Sequence, residues 1–126
     1  MTDGKLLRLL IAVDHSTLRE ALTIFFRSQD AVQVVGQAAD TQQTFSLMEA
    51  LKPDVILLDS HLMEMNTQVF IGRLLKTSPD TRVVVFTSAL DEYSPQKYLE
   101  AGASATVNQG IFASDLLSVI QTAHEN

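Results

Sequence analysis

The sequence predicts an α/β fold, a doubly wound parallel sheet made of five strand–helix repeats. Three observations carry this. Apolar runs of strand length alternate along the whole chain with longer stretches whose apolar residues recur at helical spacing. The connections are short, and repeated strand–helix units join their strands in parallel. The central run Val55-Ile56-Leu57-Leu58 has no polar alternation, the pattern of a strand buried on both faces.

The elements follow in order. Leu6 to Val13 (LLRLLIAV) is the first strand candidate. In STLREALTIFFRSQ, Leu18, Ala21, Leu22 and Phe25 recur at helical spacing, so an amphipathic helix follows. Val32 to Ala38 is the second strand. Asp40 N-caps the second helix, with Gln43 three residues on at the capping-box spacing, and Pro53 stops it. The third strand, Val55 to Leu58, ends in Asp59. Phe70, Ile71, Leu74 and Leu75 form one face of a third helix in TQVFIGRLLKT. Thr81 to Thr87 is β-branched and reads as the fourth strand. DEYSPQKYLEAG is a weaker helix, with Pro95 near its start and Gly102 as its C-cap. Ser104 to Gln109 is a short fifth strand. SDLLSVIQTAH closes the chain as a helix with Leu116, Leu117, Ile120 and Ala123 inward.

Composition bounds the function. A chain of 126 residues makes one domain with one proper core, expected to span 1–126 with nothing left for an output or catalytic domain. There is no Trp, so aliphatic side chains must fill that core. The net charge of -6 argues against direct DNA or RNA binding, which rests on phosphate neutralisation by Lys and Arg. With no Cys, disulfides and thiolate metal sites are excluded. The opening stretch is too short to span a membrane and lacks a cleavage signal, so a cytoplasmic domain is expected.

The chemistry gathers at the carboxyl ends of the strands, which in a parallel sheet share one edge and bind ligands there. Those ends carry Val13-Asp14-His15, Asp59, Thr87-Ser88 and Asn108-Gln109. Asp59 is either a cap for the following turn or a site residue. If Asp14 and Asp59 approach, they repel unless a proton or cation lies between them. Mg²⁺ suits such a pair, because it takes a few carboxylates and keeps several waters. Asp14, His15, Asp59 and His61 could instead gather a transition metal. His124 reads as a surface histidine. Asp91-Glu92 reads as solvated charge at a helix N-terminus. No phosphate-cradling glycine motif and no nucleophile elbow is present.

The segments LLIAVDHSTLREAL, VQVVGQAAD, KPDVILLDSHLMEMN, TRVVVFTSA and YLEAGASATVNQ together resemble the receiver domain of two-component response regulators. The likeness is to the subgroup that usually precedes a helix-turn-helix DNA-binding domain, and it covers essentially the whole chain. It implies a flavodoxin-like fold, with strand order 2-1-3-4-5 and helices on both faces. Residue by residue, Asp59 matches the phosphoacceptor that takes a phosphoryl group from a sensor histidine kinase. Asp14 matches an acidic Mg²⁺ ligand, and the backbone carbonyl of His61 matches the third protein ligand beside Asp14 and Asp59. Thr87 matches the switch hydroxyl, and His15 a residue of the first helical turn. The resemblance also implies a signalling face on the fourth helix, fifth strand and fifth helix. Through it the domain should form a homodimer or bind another signalling protein, with Tyr93 or Tyr98 exposed for that purpose.

The departures from the family pattern matter as much. Val13 stands where an acid is usual, Gln109 where a lysine is usual, and Met63 where a proline is usual. Thr67 replaces a glycine, and Thr106 an aromatic switch residue. A lysine contact to a phosphoryl group is worth on the order of 1.5–3 kcal/mol, and Gln109 can donate a hydrogen bond but not neutralise charge. The expected function is therefore a non-enzymatic receiver module with an atypical phosphoacceptor site, weak Mg²⁺ binding, and weak or phosphate-independent switching. The alternative is an ordinary Mg²⁺-dependent phospho-switch controlling a DNA-binding output domain. A reading from another class is a small metal-dependent hydrolase that uses the two aspartates.

Overall fold

A computed structural model of the chain describes residues 6–63, 66–87 and 95–125. The strands are β1 (Leu7–Ala12), β2 (Val32–Ala38), β3 (Val55–Asp59), β4 (Arg82–Thr87) and β5 (Ala105–Asn108). The helices are α1 (Ser16–Arg27), α2 (Thr41–Leu51), α3 (Thr67–Thr77), α4 (Pro95–Ala101) and α5 (Ala113–Glu125). All pairings are parallel, and the order is β2-β1-β3-β4-β5, as expected. No helix among the described residues is long and apolar enough to cross a membrane.

Alternation along the strands divides the core in two. Leu9, Ile11, Leu57, Val84 and Val107 face α1 and α5, meeting Leu22, Phe26, Leu116 and Ile120. Leu10, Ile56, Leu58, Val83 and Val85 face the other side, where α2, α3 and α4 contribute Met48, Phe70, Ile71, Leu74 and Tyr98. All five residues of β3 are buried, and the first four, Val55 to Leu58, form its unbroken apolar run. The helix stops follow local chemistry. Asp40 accepts from Gln43 N–H at 2.8 Å, while the Gln43 side chain accepts from Ala39 N–H at 2.7 Å. Lys52 then ends α2 in the left-handed region, just before Pro53.

Three expectations change. The buried face of α1 carries Leu22, Thr23 and Phe26, whereas Ala21 is exposed and Phe25 half-buried. The i, i+4 step from Leu22 lands on Phe26, and the larger ring fills the core. His15 is the N-cap of α1 and lies before its first turn. Tyr98 is buried in the α3/α4 side of the core, so it offers no surface for a partner. It is the buried residue of α4, and its ring anchors an otherwise exposed short helix. Tyr93, Ser88 and the Asp91-Glu92 pair lie outside the described residues.

Candidate functional site

The sheet topology sets where the strand ends meet. β1 and β3 are neighbours, with Ala12 opposite Leu58, so the turn after β1 lies beside Asp59. Asp59 in turn pairs with Phe86 of β4, one step before Thr87, and Thr87 pairs with Asn108 of β5. Gln109 N–H donates to the Thr87 carbonyl at 2.7 Å, which carries the β5 chain end back toward the middle of the sheet.

Asp59 is only 2% exposed, although it ends the strand at the sheet edge. Its Oδ1 accepts from His61 N–H at 3.0 Å, capping a single 3₁₀ turn over Ser60–Leu62. The same oxygen accepts from the Gln109 amide nitrogen at 3.4 Å. Asp59 thus caps the following turn while also meeting Gln109 at the shared sheet edge. Its carboxyl is pushed up to about 6 from an ordinary 3.8, first because burial penalises the charged form. Asp14, within hydrogen-bonding reach and of like charge, raises it further; His61, through its N–H and its charge, works in the opposite direction.

The other predicted residues divide. Asp14 is exposed and interacts with Asp59, so the two acids do come together. Val13 is fully buried and packs in the α1/α5 side of the core. Thr87 is half-buried, and its hydroxyl donates to the Val107 carbonyl of β5 at 3.3 Å. The four-residue transition-metal grouping does not form. His15 turns its Nδ1 to Leu18 N–H at 3.5 Å, and no cluster of three or more His, Cys, Asp or Glu fit for a metal occurs among the described residues. The donors that remain are two carboxylates and the His61 carbonyl. All are hard oxygens, and two crowded carboxylates favour a cation, so the set fits Mg²⁺ and could supply part of its shell, with waters completing it. A concavity of about 640 Å³ between α2 and α3 includes neither Asp14 nor Asp59.

Two features escaped the sequence reading. Arg19 reaches back from α1 to the carbonyls of Val13 and Asp14. An arginine five residues after Asp14 was the available signal, but its direction is set by the turn. The Ser60 hydroxyl is buried beside Asp59 with no hydrogen-bond partner among the described residues. Nothing in its local sequence marks that.

Residues 9–121 match the family described as the response regulator receiver domain. The transcriptional regulatory protein YhcZ of Bacillus subtilis (strain 168) is 36% identical over 99 residues, 79% of this chain and 46% of that protein. The response regulator GacA of Pseudomonas viridiflava is 29% identical over 116 residues, 92% of this chain and 54% of that protein. The chain spans about half the length of these curated relatives. Among solved structures, the signal receiver domain of the response regulator NarL from Mycobacterium tuberculosis superposes with a TM-score of 0.86 at 24% identity, covering 97% of this chain and 98% of that one. That likeness bears on the fold, and it is the same five-stranded order. The sequence match over nearly the whole chain and the sheet that presents its strand ends together agree: the chain belongs to the response regulator receiver domain family of two-component signalling.

Proposed function

We propose that this domain, residues 1–126, is a regulatory receiver module whose phosphoacceptor site is atypical, and that it switches weakly with phosphate or independently of it. The observation that carries the proposal is the contact between the Gln109 amide and Asp59 Oδ1. A neutral amide stands where the family's lysine would bring a charge. Asp59 is the phosphoacceptor in this reading. Its carboxylate attacks the phosphorus of a phosphodonor, and the bond from phosphorus to the donor's leaving group breaks. Two donors hold Oδ1, which fixes the orientation of the carboxylate. Asp14, Asp59 and the His61 carbonyl would hold Mg²⁺, which when bound offsets negative charge around the phosphoryl group. Thr87 is the switch residue. In the present arrangement its hydroxyl is engaged with β5, so reaching a phosphoryl oxygen requires it to release the Val107 carbonyl.

Gln109 lowers the differential stabilisation of a phosphorylated state by roughly 1–3 kcal/mol relative to a lysine. Moving a two-state switch from 1:99 to 99:1 takes about 5.5 kcal/mol, so that loss leaves much of the population unswitched. The module then acts chiefly through protein contacts. A sensor histidine kinase or another signalling protein is its partner, a second copy of the chain is a further one, and any DNA contact is made by an output domain of the kind its regulatory relatives carry. The second reading, an ordinary phospho-switch, is favoured by the assembly of Asp14 and Asp59 at one edge beside Thr87. Incubation with a small phosphodonor and Mg²⁺, followed by intact-mass measurement, separates the two. Partial labelling with little change in amide chemical shifts is expected. Near-complete labelling with a large conformational change puts the ordinary switch in its place.

A further inference from the structure

We propose that Arg19 is a positioning residue for the acidic pocket: by clamping the carbonyls of Val13 and Asp14, it sets the turn that directs the Asp14 carboxylate toward Asp59. The inference rests on reading that pocket as the Mg²⁺ and phosphoacceptor site. Packing cannot hold Asp14 there, because its side chain is exposed. Electrostatics works against it, because two carboxylates at close range repel. Without a restraint on the backbone, the turn would relax and carry Asp14 into solvent.

Among the described residues the restraints on this turn are few. Val13 is fixed on one side by the core and by its N–H bond to the Ala38 carbonyl at 3.0 Å. Beyond Val13 the chain has left the β1 ladder. His15 caps α1 through a long contact of 3.5 Å. Arg19 adds a further hold. Its Nη1 donates to the Val13 carbonyl at 2.8 Å and to the Asp14 carbonyl at 3.3 Å. One nitrogen therefore bridges both peptide units that flank the Asp14 Cα. Arg19 is itself well placed to bear this. It lies in the first turn of α1, its N–H bonds to the His15 carbonyl at 2.9 Å, and its own carbonyl accepts from the buried Thr23 hydroxyl at 2.8 Å. Arg19 as a residue is half-buried, and its guanidinium is charged, which makes these bonds stronger than neutral ones.

Positioning and charge make opposite predictions. A cation near the pocket opposes Mg²⁺, so if Arg19 acted only through its charge, removing it would tighten the metal. If it acts by holding the turn, removing it weakens the metal. The test compares the unaltered chain with Arg19→Ala, Arg19→Gln and Asp14→Asn. Mg²⁺ affinity is followed by NMR titration, and amide exchange of residues 14–18 is read in the metal-free protein. Losing an outer partner of a metal ligand costs 10- to 100-fold in affinity, and Arg19→Ala is expected at about tenfold weaker Mg²⁺ binding. Its turn amides should exchange faster while β3 and β4 remain protected. Arg19→Gln keeps an amide donor without the charge, so it should recover part of the affinity. It also serves should the alanine variant fail to fold. Equal or tighter Mg²⁺ binding in Arg19→Ala, or unchanged exchange in the turn, overturns the positioning role. If the unaltered chain shows no saturable Mg²⁺ response that Asp14→Asn removes, the metal-site reading fails instead, and turn exchange in the metal-free protein still decides the role of Arg19.

Discussion

At the scale of single residues, Asp59 concentrates the opposing terms. Burial and Asp14 disfavour its charged form, while the His61 N–H favours it. In metal-free protein its folded pKa of about 6 lies above the unfolded 3.8. Between those values the folded chain keeps a proton that the unfolded chain has released. Stability from this group is thus fully present below the unfolded value and is lost as pH rises through about 6. Asp59→Asn cannot ionise and keeps an acceptor for His61. Its urea midpoint in EDTA should exceed that of the unaltered chain at pH 7, with the difference shrinking toward pH 4. A difference that stays constant from pH 4 to pH 7 would contradict the raised carboxyl. Of the positions on which the proposed atypical site rests, Gln109 and Val13 are not equivalent. Gln109 already touches Asp59, so Gln109→Lys should raise phosphodonor labelling with little cost in stability. Val13 fills apolar core, and Val13→Asp would bury a carboxylate there, at a cost of about 3 kcal/mol or more unless Mg²⁺ is present. Thermal melts with and without Mg²⁺ read this directly. The double variant Val13→Asp with Gln109→Lys should label more completely with phosphodonor and bind Mg²⁺ more tightly than the unaltered chain.

At the scale of elements, α4 stands apart. It is short, Tyr98 is its buried residue, and Leu99 is left 41% exposed. It should be the first helix to lose amide protection under native-state hydrogen exchange, because few apolar contacts oppose its opening. Protection in α4 matching that of α3 would refute this. Its C-terminus is nevertheless closely determined. Gly102 has φ +118, its N–H bonds to the Leu99 carbonyl at 3.1 Å, and Ala103 N–H reaches the Tyr98 carbonyl at 3.0 Å. A Cβ at Gly102 would stand 2.7 Å from Leu75 Cδ1. Gly102→Ala should therefore destabilise by on the order of 1–3 kcal/mol, from backbone strain and that close approach together. Chemical denaturation checks the value, and an unchanged midpoint would show that the turn can adopt another conformation.

At the scale of the whole molecule, the question is which face meets a partner. The α4–β5–α5 side has a shallow groove lined by Ser104, Ala105, Ser118, Val119, Thr122 and Ala123, small residues that allow close approach. With Tyr98 buried, the apolar contribution of α4 falls to Leu99. We expect weak self-association through this face. It should be detectable by light scattering at high concentration, changed little by phosphodonor, and reduced by Lys97→Glu combined with Leu99→Ala. A monomer at every concentration, unaffected by those substitutions, would exclude the face as a homodimer surface.

The sequence by itself determined the α/β class, the five repeats and most helix stops. These depend on short-range physics: periodicity selects strand or helix, Asp40 and Gln43 cap within four residues, and Gly102 ends a helix because of its own backbone freedom. It also placed Asp14, Asp59, Thr87 and Gln109 at strand ends, which a parallel sheet must bring to one edge. Only the tertiary structure decided what those residues touch. Gln109 meets Asp59 from 50 positions away. The Thr87 hydroxyl turns to β5, and Val13 faces the core. Tyr98 is buried because α4 packs against α3 and β5, although its local pattern reads as an exposed ring on a polar helix. Hydrophobic periodicity fixes which face of an element is inward. It does not specify which neighbour fills that space, and the contacts that perturb Asp59 arise there.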